Sequence, residues 1–235
     1  MQSNGSDESS ESEGFKGRLA EWFRPHRTIP ITPWRAKSRW KFSPATLAIL
    51  LVALFLFGIG ESLLVQSNLG NSPWVVLAQG VSNHTGINLG WATFGISCAV
   101  LLLWIPLNER PGIGTLLNII VIAFALQVGV EIIPLQHHFA FGLLLSILGI
   151  LLVGAASAFY ISCGLGPGPR DGWMTGLHHR TGIRVGRVRL GIESLVLLSG
   201  YLMGGHVGLG TALFALFIGQ SIAISFGILA RVTHR

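Results

Sequence analysis

From residue 44 onward the chain is a succession of apolar runs, several of them long enough to cross a bilayer. A crossing helix needs about 20 mostly apolar residues to span roughly 30 Å of hydrocarbon. Composition agrees with that constraint. Of the 235 residues only 11% are charged and half are hydrophobic, whereas a soluble domain carries about a quarter charged residues. The mean hydropathy is +0.61. The chain reads as an all-α polytopic membrane protein.

The charge is unevenly placed. Residues 1–13 are acidic, Ser-rich and nearly free of apolar side chains, which predicts disorder. Residues 14–43 are basic and aromatic, with Trp22, Phe23, Trp34 and Trp40 among the cations. Phe15, Leu19, Trp22 and Phe23 have helical spacing, so a short helix on the membrane surface is one reading. A loose juxtamembrane tail is the plainer one. Residues 1–43 form a cytoplasmic tail on either reading, and 44–235 the transmembrane domain. A net charge of +6 would suit nucleic acid, but the cations flank apolar spans, as in cytoplasmic membrane loops. No nucleic-acid partner is expected. The apolar runs begin after more than 40 mostly polar residues, so no cleaved leader is expected either.

Six spans are predicted, over 44–65, 87–107, 113–133, 139–163, 188–203 and 209–230. The fifth is the shortest. Pro106, Pro111 and Pro134 mark ends. Trp91 and Trp104 sit near the ends of the second span, where aromatic rings favour the interface.

A shift of 96 residues aligns two halves without a gap. Leu69-Gly70-x-x-Pro73 falls on Leu165-Gly166-x-x-Pro169, and Gly80 falls on Gly176. Thr85-Gly86-Ile87-x-x-Gly90 falls on Thr181-Gly182-Ile183-x-x-Gly186. Gly112-x-Gly114-Thr115 falls on Gly208-x-Gly210-Thr211. Any two membrane helices share Leu and Val, but Gly, Pro and Thr fix turns and close backbone approaches. The repeats cover about 44–133 and 139–230. Each reads as a span, a Gly/Pro turn, a short re-entrant or interfacial helix, then two further spans. Three crossings per half place the second copy upside down, an inverted repeat of the kind found in secondary transporters.

Charge supports that arrangement. With both termini cytoplasmic in a bacterial plasma membrane, the outer loops 66–86, 134–138 and 204–208 hold no Lys or Arg. All 16 basic residues fall inside. A rival with eight spans and parallel halves moves only Arg110 and Arg170 outside. Length argues against it: 73–81 makes a helix of about 14 Å. Arg170, Asp171, His178, His179 and Arg180 around its counterpart are costly in lipid.

The string Gly-Leu-Gly-Pro-Gly-Pro-Arg-Asp-Gly at 164–172, the turn Leu69-Gly-Asn-Ser-Pro-Trp74 and the loop Arg110-Pro-Gly-Ile-Gly-Thr115 resemble the YczE-like branch of the YczE/YyaS/YitT bacterial membrane proteins. The resemblance covers roughly 45–230. It implies a multi-pass plasma-membrane protein and carries no agreed substrate. In such proteins the first turn usually reads Pro-Trp-Asp; here Val75 stands in place of Asp.

The candidate chemistry is sparse. Gly166 and Pro169 open a short helix whose free N–H groups, with Arg170, could hold an anion. Alternatively this is a structural turn in which Asp171 caps its own helix. The outer copy, Gly70 to Pro73, offers Asn68, Asn71 and Ser72 but no charge. Glu61 lies inside the first span without a charged neighbour in sequence, and such residues are expensive and often functional. It is the leading candidate for an ion- or proton-coupled site, or else it reaches the outer interface. Glu193 stands four residues after Arg189 and can pair with it. Asn118, Gln127 and Gln220 suit hydrogen bonds between helices. The pairs His137-His138 and His178-His179 chelate poorly, because helical neighbours point about 100° apart. Cys98 and Cys163 sit inside apolar runs. No metal, cofactor or enzyme activity is expected. The expected partners are lipid and an unidentified small molecule or ion, with homo-oligomerisation left open. Two functions remain: a small-molecule or ion transporter with its path between the halves, and a non-transporting regulator that displays basic cytoplasmic loops.

Overall fold

The structure, a computed structural model, describes residues 29–233. The acidic stretch 1–13, the surface helix expected around Trp22 and Phe23, and Arg235 lie outside them. Among the described residues eight helices follow in order: α1 (Pro44–Gln66), α2 (Pro73–Thr85), α3 (Leu89–Leu102), α4 (Ile113–Ile132), α5 (Phe139–Ser162), α6 (Pro169–Thr181), α7 (Val185–Leu202) and α8 (Leu209–Thr233).

Local sequence explains the helix ends. Ser43 caps α1 by accepting from the Thr46 N–H at 3.1 Å, and Pro44 occupies the first turn, where its missing N–H costs nothing. Asn88 caps α3 by accepting from the Trp91 N–H at 2.9 Å. The short helices α2 and α6 each start on a proline and stop on a left-handed glycine, Gly86 and Gly182. They are 13 residues each, longer than the nine or so expected. Four helices, α1, α4, α5 and α8, are long and apolar enough to cross a membrane; the pair α2–α3, bent by 114°, makes a fifth if it counts as one broken span.

The predicted second span is shortened by packing. α3 ends at Leu102, and a run of turns carries the chain to Asn108. Trp104 does not lie at an interface; it is 2% exposed and donates its indole N–H to the Pro169 carbonyl at 2.9 Å. Its ring lies where a Cβ on Gly172 would be, so only glycine fits beneath it. α7 starts three residues before the expected position and carries Arg187, Arg189 and Glu193.

α1 and α5 form the centre, packed on each other, with α4 against α1 and α8 against α5. Small residues allow close contact there: Gly60 backs onto Gly149 and Val153. α2 packs on α7, and α3 lies against α4 and α6. Outward faces are apolar, with Phe124 62% and Leu216 68% exposed, which suits lipid and not water.

Contacts recur 96 residues apart. Gly58 packs on Ala125, and Gly154 on Ser221. Gly80 meets Met203, and Gly176 meets Leu107. The two Gly/Pro turns dock on loops of the opposite half. The Gly210 N–H donates to the Leu69 carbonyl at 2.7 Å, and the Gly114 N–H to the Leu165 carbonyl at 2.9 Å. Gly70 and Gly166 have φ of 110° and 112°, and a Cβ on either would collide with the partner loop, at Gly208 and Thr211 or at Gly112 and Thr115. Both reasons demand glycine.

One contact is not duplicated. Residues 29–41 form a strap over the end of α5. The Trp34 indole donates to the Ser162 hydroxyl at 3.1 Å, the Ala36 N–H to the Cys163 carbonyl at 2.9 Å, and the Ile113 N–H to the Arg39 carbonyl at 3.1 Å.

Candidate functional site

The two short helices begin at a shared void. Ser72, Pro73 and Trp74 at one start and Gly168, Arg170 and Asp171 at the other line a cavity of about 180 Å³, which α1, α3, α4, α5, α7 and α8 also line. The space is large enough for several waters or one small solute.

The turn motifs set this geometry. Gly114, Thr115, Gly210 and Thr211 do not line the cavity; they hold the turns in place. The Thr115 hydroxyl donates to the Pro167 carbonyl at 2.7 Å, and the loop N–H groups grip Leu69 and Leu165 as described. With the turns fixed, Pro73 and Pro169 start helices aimed away from the void.

Five acidic or basic side chains line it: Glu61, Arg170, Asp171, Arg189 and Glu193. Glu61 is 2% exposed and accepts the Ser72 hydroxyl at 2.7 Å, so it does not reach the outer interface. Asp171 does not cap its helix through its own backbone; its carboxylate accepts the Tyr160 hydroxyl at 2.5 Å. Arg189 pairs with Glu193 at 2.8 Å, as the spacing predicts. Arg170 lies 5.0 Å over the Trp74 ring, a cation–π contact. No carboxylate oxygen among the described residues comes within 4.0 Å of its guanidinium.

Neutral groups complete the lining. Thr93 is 2% exposed and its hydroxyl has no hydrogen-bond partner. Ser97 and Asn118 also face the void. Unpaired buried polar groups are costly, and Thr93 carries one in the wall of the void.

Of the candidates named from sequence, Glu61, Arg170, Asp171 and Glu193 converge here. Asn68 does not: it is exposed, with φ of 57°, where α1 turns into the next segment. Asn118 faces the cavity instead of bridging helices. Gln127 does bridge, accepting the Gly90 N–H at 2.9 Å, and Gln220 is exposed. His179 lies 3.2 Å from Glu109, and His178 bonds the Ile183 carbonyl. Among the described residues no three His, Cys, Asp or Glu side chains gather as a metal site needs. Trp74, Thr93, Ser97, Tyr160 and Arg189 were missed as lining residues. The 96-residue shift held the clue, because it sets Trp74 on Arg170, Thr93 on Arg189 and Ser97 on Glu193.

Comparison with known proteins places the chain in a family. Residues 45–226 match a family of unknown function, DUF6198. An uncharacterized membrane protein YczE of Bacillus subtilis is 34% identical over 191 residues, 80% of this chain and 85% of that protein. The chain belongs to the YczE-like family. An uncharacterized protein of Haemophilus influenzae is 46% identical over 208 residues, 88% of this chain and 95% of that protein. The uncharacterized protein YyaS of Bacillus subtilis is 25% identical over 187 residues, 77% of this chain and 92% of that protein. No solved structure matches. Where the YczE-like family pattern has Asp after Pro-Trp, Val75 packs in an apolar cluster with Ala78, Leu89 and Leu126. Its counterpart Asp171 keeps the carboxylate, so the acidic groups lining the cavity of this YczE-like protein are Glu61, Asp171 and Glu193.

Proposed function

We propose that this membrane protein transports a small polar solute through the cavity between its halves. The halves are read as inverted copies that cross a bacterial plasma membrane six times in all, with both termini cytoplasmic. α3 with the turns after it, and the charged α7, serve as the second and fifth crossings. The observation that carries the reading is the void where both short helices start, its mainly apolar wall set with charged and hydroxyl side chains, and each turn gripped by a loop of the opposite half. Inverted-repeat transporters place their sites where two such halves meet, at the ends of broken helices. Ionisable groups within spans mark solute and ion paths. The rocking of one half against the other would open the void to each side in turn.

A competing reading, a membrane regulator, draws on the exposed Arg180, Arg184 and Arg187 around the end of α6. It predicts no flux. The test is uptake of a labelled metabolite mixture into proteoliposomes. The expected result is accumulation of a small polar solute, lost in Glu61→Gln. Its absence with correctly inserted protein would favour the regulator.

A further inference from the structure

We infer that the cavity takes a small zwitterionic solute, its ammonium group held at Glu61 and its carboxylate at Arg170. The inference rests on the transport reading above and names the class of solute.

Polarity carries it. Each of these two charges has a neutral counterpart 96 residues away: Ser157 for Glu61 and Trp74 for Arg170. The acidic pole therefore comes from the first half and the basic pole from the second. Both line one cavity and lie within electrostatic reach of each other. Yet no ion pair closes between them at 4.0 Å or less. Opposite charges in a low dielectric attract strongly, so two that line one cavity without closing an ion pair leave room for a dipolar guest.

The remaining charges are already engaged. Arg189 and Glu193 hold each other, and Asp171 holds Tyr160. Arg170 keeps its fork of N–H donors, and such a fork matches a carboxylate at two points. Glu61 has one hydrogen bond, from Ser72, and spare lone pairs for an ammonium group.

Net charge separates the alternatives. Two guanidinium groups face three carboxylates, a formal excess of one negative charge. A plain anion would double that excess. A plain cation would satisfy Glu61 but leave the Arg170 donors empty. A zwitterion satisfies both poles and leaves the total unchanged. The volume of about 180 Å³ suits a small solute. Thr93, Ser97 and Asn118 then supply neutral contacts along the guest.

The test uses protein in nanodiscs, with calorimetric titration of glycine, β-alanine and 4-aminobutyrate. Acetate and methylammonium serve as single-charge halves. At least one zwitterion should bind tenfold or more tighter than either half. Glu61→Gln should reduce it to the affinity of acetate, and Arg170→Gln to that of methylammonium. Glu61→Asp and Arg170→Lys, which keep each charge and protect folding, should retain part of the preference. Equal binding by acetate or methylammonium, or no zwitterion binding, overturns the inference. Transport is read separately, from Ser97→Cys in a background of Cys98→Ser and Cys163→Ser. Alternating access predicts that an impermeant thiol reagent reaches it from both faces of a proteoliposome. Labelling from both faces without zwitterion binding overturns the solute class alone; labelling from fewer overturns transport.

Discussion

Thr93→Val offers a sharp test, because its effects on stability and on function should have opposite signs. The Thr93 hydroxyl is buried without a partner at the cavity wall. Burying such a group costs about 1–3 kcal/mol. Valine keeps the shape and removes the polar atom, so the empty protein should gain about 1–2 kcal/mol. For a chain of this size that is roughly a 2–8 °C rise in melting temperature, at about 2–4 °C per kcal/mol. The same change removes a hydrogen bond from the solute, about 0.5–1.5 kcal/mol, so solute affinity should fall about 2- to 12-fold. Melting is followed by tryptophan fluorescence in detergent, and affinity by titration with the zwitterion set. Ser146→Ala is the control. The Ser146 hydroxyl is also buried and unpartnered, on α5 away from the cavity, so its loss should stabilise without touching affinity. A lower melting temperature for Thr93→Val would show that the hydroxyl is already engaged in the empty protein. Loss of affinity in both variants would show that the cavity wall is not special.

Three further outcomes are expected. Gly70→Ala and Gly166→Ala should each destabilise by roughly 1–3 kcal/mol, from a left-handed backbone and a loop collision, and to a similar extent; the check is the melting temperature and yield of each purified variant. Trp104→Phe should cost about 1 kcal/mol through the lost bond to the Pro169 carbonyl, while Trp104→Ala should cost about 3–5 kcal/mol through the cavity above Gly172; thermal melts separate the two. Thr85→Cys and Thr181→Cys, at exposed ends of α2 and α6, should be labelled from opposite sides of the membrane in the background lacking Cys98 and Cys163; labelling from one side ends the inverted topology.

The punctuation was readable in the sequence because glycine, proline and threonine answer to backbone geometry. Gly70, Pro73, Gly166 and Pro169 each sit at the turn or helix start that the 96-residue shift indicated. The long helices were equally plain, since hydropathy alone marks them. What hydropathy could not convey was where an apolar run turns inward. Trp104 reads like an interfacial ring until Gly172 is seen to make room for it. Thr93 and Ser97 look like ordinary small polar residues in a membrane helix; only burial shows one of them orphaned at a void. Asn68 misled for the opposite reason. Its place beside the first turn promised a ligand, but asparagine also tolerates the left-handed backbone that this corner needs.

The strap over α5 gives the molecule a built-in direction. Any motion that lifts the end of α5 and the turn at 163–167 away from the strap must part both Thr32 and Trp34 from Ser162, and Ala36 from Cys163. On the other side, the first turn is tied to the chain outside its docking loop by fewer threads: Gln66 donates to the Val130 carbonyl at 2.5 Å and accepts the Gln136 N–H at 2.8 Å. On the transport reading, two doorways cut to one pattern have been hung with unequal bolts, and thermal motion should find the lighter one first.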